Sequence, residues 1–170
     1  MPFVPLRSRY HRLSAAILLA ASAVVVLSGC APAVDVSAAK DSANPACAPA
    51  MVALPDTLAD TAQLRETTSQ ATAAWGDPSL VILRCGVNPP GPTTDPCVSV
   101  NGVDWVTKEG NPTWTLTTFG RTPAVEILLD PNKIASSTVL SQLSAAVAKI
   151  PQSKKCIGPA DTETLSPSAP

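Results

Sequence analysis

Four cysteines, Cys47, Cys85, Cys97 and Cys156, follow a fifth, Cys30, which closes a basic and then apolar N-terminal stretch. No other feature constrains the fold as strongly. An even set of thiols behind an export signal reads as two disulfides, which tie distant parts of a small domain together. The set lacks zinc spacing: there is no C-x-x-C, and the single His, His11, lies in the N-terminal stretch. A reactive thiol needs an activating partner, and none is evident in the sequence. Four thiols allow three pairings. Chain entropy does not separate Cys47–Cys85 with Cys97–Cys156 from Cys85–Cys97 with Cys47–Cys156. A closed loop of about 38 residues is worth about 4 kcal/mol, and one of about 12 residues about 3.

The N-terminal stretch has three parts. Met1 to Arg12 carries Arg7, Arg9 and Arg12 without an acid, and Leu13 to Leu27 is an uncharged, mostly apolar run. Leu27-Ser28-Gly29-Cys30 follows. This is the order of a secretory signal, and the apolar run is shorter than the roughly 20 residues of a spanning helix. The L-S-G-C ending resembles the bacterial lipobox, where the Cys thiol takes a diacylglyceryl group (palmitate among its acyl chains) and cleavage falls just before it. Cleavage after Ala21-Ser22-Ala23 would instead leave four apolar residues on the new terminus. Residues 1–29 are therefore expected to be a lipoprotein signal peptide and Cys30 the lipidation site. The chain is then expected on the outer face of the cytoplasmic membrane, and a two-chain anchor holds stably.

Removal of 1–29 takes three of the 12 basic residues and none of the 13 acidic ones, leaving a net side-chain charge of −4. There is no basic footprint for nucleic acid. No His remains to ligate a metal or act as a general base, and the aromatics left are Trp75, Trp105, Trp114 and Phe119. No phosphate-binding loop, dinucleotide fingerprint or EF-hand occurs, so no cofactor is expected. The sequence divides into residues 30–46, an Ala/Ser/Pro/Asp-rich stalk expected to be flexible, a single domain over 47–157, and a polar tail over 158–170 expected to be disordered.

Within the domain, residues 47–54 read as a short helix ending before Pro55, with Met51 and Leu54 toward the core. Leu80-Val81-Ile82-Leu83 reads as a strand buried on both faces. Asn101-Gly102 between two valine-rich runs predicts a two-residue hairpin, because a type I′ turn needs positive φ twice. That turn pairs Val100 with Val103 and Val98 with Trp105, on one face, and puts Ser99 and Asp104 on the other. Residues 113–119 and 124–129 alternate as strands around a Gly120-Arg121-Thr122-Pro123 turn, and a weak strand is expected near 63–67. Ser137 to Lys149 predicts a helix with Val139, Leu140, Leu143, Val147 and Ile150 on one stripe. Ser136 or Ser137 would cap it and Lys149 would suit its C-terminal dipole. The expected fold is α+β: a mainly antiparallel sheet of four to five strands, with a short N-terminal helix and a longer C-terminal helix packed on one face.

Leu54-Pro55-Asp56, Ala74-Trp75-Gly76-Asp77-Pro78, Leu83-Arg84-Cys85-Gly86 and Val100-Asn101-Gly102-Val103-Asp104-Trp105 occur in an order and spacing that resemble an actinobacterial family of exported proteins, the domain of unknown function 3515 family. The resemblance spans roughly Cys47 to Pro151. It implies a membrane-associated envelope protein and no particular activity. It also implies Cys47–Cys85, since the family carries a Cys before L-P-D and another in R-C-G, which leaves Cys97–Cys156 as a further pair.

Candidate binding residues are Trp75 and Asp77, on a tight W-G-D-P turn, Arg84, Asp104 and Trp105. Each has a plainer reading. Trp75 plugs the sheet edge, and Arg84, on a buried strand, needs an internal partner such as Asp104, Glu126 or Asp77. Asp104 with Glu126 is the one carboxylate pair on which a hydrolase could be built, in a chain poor in the aromatics that line sugar clefts. No serine elbow or activating His exists. A non-catalytic interaction or envelope-assembly module is expected, with the membrane and an envelope protein as partners. The alternative is an envelope protein that binds a small ligand or lipid.

Overall fold

The computed structural model describes residues 32–157. The expected signal peptide, the expected lipidation site Cys30 and the tail from residue 158 on lie outside the described residues. Helix α1, Cys47–Val52, opens the domain. Three short strands follow: β1, Thr57–Leu58; β2, Ala62–Arg65; and β3, Thr72–Trp75. Next come the longer β4, Val81–Val87, then β5, Cys97–Val100, and β6, Val103–Lys108. Strands β7, Trp114–Thr118, and β8, Ala124–Leu129, precede helix α2, Ser136–Val147.

All eight strands join one antiparallel sheet in the order β1-β2-β3-β4-β8-β7-β6-β5. The expectation of four to five strands with a short N-terminal and a longer C-terminal helix is therefore corrected: the described residues form eight strands and two small helices. The extra strands come from the Thr- and Ala-rich stretch before β4. Alanine has little intrinsic strand preference, yet Ala73 and Ala74 are buried in β3 because small side chains fit between sheet and cover.

Alternation along the strands separates two faces. Val81, Leu83 and Cys85 of β4, Val125, Ile127 and Leu129 of β8, Leu116 of β7, and Val103 and Trp105 of β6 share one core with Val139, Leu140, Leu143 and Val147 of α2. Cys47 and Ala50 bring α1 into the same core, with Met51 and Leu54 packed against it. The stripe expected on α2 is the one that is buried, through Ile150. The capping expectation is corrected: Ala135 takes the cap position without a side-chain hydrogen bond. Lys149 lies past the end of α2, so the last turn carries no basic residue.

The β5–β6 hairpin has the expected register, Val100 opposite Val103 and Val98 opposite Trp105. Asn101 and Gly102 both have positive φ, 49° and 78°. Val98 is 42% exposed because β5 ends the sheet, whereas Asp104 is only 6% exposed. The expectation that β4 is buried on both faces is also corrected, since Ile82 and Arg84 on the outer face are only half-buried.

Two terminal segments lie over the domain. Residues 34–42, within the span expected as a flexible stalk, are docked. Val34 N donates to Glu66 O at 2.8 Å, Thr68 N donates to Val34 O at 3.0 Å, and Asp41 N donates to Gly86 O at 2.9 Å. Val36 and Ala39 are buried, which gives this polar-looking segment its hold. At the other end, residues 152–156 run back across the outer face as a strap.

Candidate functional site

The candidate residues are dispersed. Trp75 is fully buried in β3, and its Nε1 donates to Pro55 O at 2.9 Å, so it is a core plug with its polar edge satisfied. Asp77 is exposed and pairs with Arg65 at 3.0 Å. Arg84 and Glu126 are directly opposed on β4 and β8. Arg84 Nε and Nη2 donate to Glu126 Oε1 at 2.8 and 2.5 Å. Trp105 is fully buried on the core face, and its indole Nε1 has no hydrogen-bond partner among the described residues.

Asp104 and Glu126 are not brought together. Strand β7 lies between their strands, and Glu126 shares a row with Val106, two residues beyond Asp104. Two strand spacings and two residues of rise put their backbones ~12 Å apart. Both carboxylates are also engaged elsewhere.

Asp104 holds the strap. Its Oδ2 accepts from Gln152 Nε2 and from the Cys156 backbone N–H, each at 2.8 Å. Arg121 lies beneath the same segment, buried in the turn between β7 and β8. Its Nη1 donates to Ile150 O, and its Nη2 donates to Gly102 O at 3.1 Å. Burial lowers the Arg121 pKa from its ordinary value, and the negative charge of Asp104 opposes that shift. Ser153 completes the strap, with its backbone N–H donating to Gly120 O at 2.7 Å. The sequence gives no signal for this role of Arg121, since a charged residue in a Gly-Arg-Thr-Pro turn reads as solvated.

The cysteines are joined as the resemblance implies. Cys47–Cys85 spans 5.9 Å between Cα atoms and Cys97–Cys156 spans 6.1 Å. The first links α1 to β4 inside the core. The second fastens the strap to the edge strand β5. Beside it opens a cavity of roughly 640 Å³, walled by the Pro90–Asp95 part of the β4–β5 connection and by Lys154–Ile157 of the strap. Val106, Phe119 and the two cysteines supply apolar lining, and Lys154 and Lys155 supply positive charge. Sequence reasoning missed this site because its walls come from segments without periodicity, joined only by the fold.

Among the described residues no helix is long and apolar enough to cross a membrane. No cluster of His, Cys, Asp and Glu among them is suited to hold a metal ion. No curated protein and no solved structure matches the chain. A family model does match, over residues 13–156. The chain thus belongs to the family described as proteins of unknown function, DUF3515.

Proposed function

We propose that this protein is a lipid-anchored, extracytoplasmic binding module that works without catalysis, through protein contacts in envelope assembly. The observation that carries this reading is the use made of its charged side chains. Arg84 is bonded to Glu126, Asp104 to the strap, and Arg121 to backbone carbonyls. Side chains spent on holding the fold favour a rigid recognition surface over a reaction centre. The two disulfides support an oxidising compartment, and Leu27-Ser28-Gly29-Cys30 supports the anchor.

Intact-mass measurement of the membrane-extracted protein, with and without reduction, tests the anchor and the staples together. The expected mass is that of a chain beginning at Cys30 with a diacylglyceryl adduct, gaining four hydrogen atoms on reduction of the two disulfides. Cys30→Ser is expected to release the protein or leave it unprocessed, and a processed variant that stays on the membrane would contradict anchoring. Crosslinking in intact membranes is expected to return a reproducible protein partner, and its consistent absence would count against the interaction reading. A second reading, binding of a small envelope ligand, is favoured by the cavity beside Phe119. Phe119→Ala is expected to abolish ligand retention in native mass spectra under that reading and to leave protein crosslinks unchanged.

A further inference from the structure

The two disulfides occupy opposite environments. Cys47 and Cys85 are 2% and 0% exposed, sealed between α1 and β4. Cys97 is exposed on the last strand of the sheet, and Cys156 is half-buried on the strap. Both line the cavity, which is open to an incoming chain segment and has Val106 and Phe119 for apolar contact. Exchange requires a thiolate to reach a disulfide sulfur, so access governs which bond reacts.

We infer that Cys97–Cys156 is a redox-addressable bond, opened by a protein dithiol of the oxidoreductase class docking in the cavity, while Cys47–Cys85 is a permanent staple. The inference concerns a bond within the described domain and stands whether or not Cys30 carries lipid. The attacking thiolate adds to the Sγ of Cys97, the more exposed residue of the pair, and the Cys97–Cys156 bond breaks. Cys156 leaves as a thiolate beside Lys154 and Lys155, whose positive charge favours it, and takes a proton from water. The second thiol of the reductant then attacks the mixed disulfide and frees the Cys97 thiol. Two electrons and two protons pass to the chain, and the reductant departs as its own disulfide. The strap keeps its hydrogen bonds to Asp104, Gly120 and Arg121.

The test uses the full chain, purified without reductant, exposed in parallel to dithiothreitol and to reduced thioredoxin, and quenched with an alkylating agent at timed intervals. Peptide mapping reads each cysteine. Under native conditions Cys97 and Cys156 are expected to be labelled at least about tenfold faster than Cys47 and Cys85 with both reductants. In denaturing urea that difference is expected to vanish. Trypsin cleavage after Lys154 and Lys155 is expected to accelerate about tenfold once the bond is open. Equal labelling of the pairs, earlier labelling of Cys47 and Cys85, or a difference that persists in urea would overturn the inference. Opening by dithiothreitol but not by thioredoxin would overturn the protein reductant.

Discussion

Trp75 and Trp105 are both fully buried, yet their indole nitrogens have different fates. Trp75 Nε1 donates to Pro55 O, whereas Trp105 Nε1 is unpartnered among the described residues. Phenylalanine at either position removes similar volume, but only at Trp75 does it also break a hydrogen bond. Trp75→Phe is therefore expected to cost about 1 kcal/mol more than Trp105→Phe, read by urea unfolding with the disulfides intact. Equal losses would contradict the assignment. The Arg84–Glu126 pair, with side chains 28% and 15% exposed, separates pairing from burial in the same way. Arg84→Met alone strands a half-buried carboxylate and is expected to cost about 1–3 kcal/mol. Arg84→Met with Glu126→Leu is expected to come close to neutral, because an ion pair lifted from water is often replaceable by matched apolar contact. A double-mutant cycle checks both.

Two positive-φ glycines, one in the β5–β6 turn and one at the register shift in β4, sit in different surroundings. A Cβ at Gly102 meets nothing, so Gly102→Ala carries backbone strain alone, about 1–2 kcal/mol. A Cβ at Gly86 runs into the Asp41 and Ser42 backbone at the end of β4. Gly86→Ala is expected to cost more than Gly102→Ala and to speed hydrogen exchange at the Asp41 amide, a readout that Gly102→Ala leaves unchanged. The same contrast marks what was legible in the sequence. Asn101-Gly102 announces its hairpin, because the turn chemistry and the valine alternation agree. Strands β7 and β8 and the buried stripe of α2 were legible for the same reason: their apolar period matches their element. Strand β2 was legible only as a weak strand near 63–67, and β1 and β3 were not, since Ala and Thr there are held by their neighbours and not by preference. Nor was the docking of Val36 and Ala39, two small apolar residues in a polar segment. At the candidate site Arg84 was legible as an ion-pair member, with Glu126 among its named partners. Asp104 was legible as a carboxylate of consequence, but its task of holding Gln152 and Cys156 depends on a strap that no local pattern foretells.

At the scale of the whole molecule, the sheet is two four-stranded runs, β1–β4 and β5–β8, that meet where β4 pairs with β8. Each run carries one disulfide, with separations of 38 and 59 residues. On the loop-entropy account either bond is worth about 4 kcal/mol to the folded state. Cys47→Ser with Cys85→Ser is expected to cost at least that, since it also puts hydroxyls into the core. Cys97→Ser with Cys156→Ser is expected to retain the sheet and lose the strap. Thermal unfolding with hydrogen exchange over 152–156 separates the two outcomes, and loss of the whole sheet in the second variant would show that the strap is integral to the core. The pairing is also strictly consecutive, first cysteine of the domain with second and third with fourth. For a chain entering an oxidising space N-terminus first, Cys85 is therefore the first of the other three domain cysteines to come within reach of Cys47, and the order of arrival works for the native pairs and not against them.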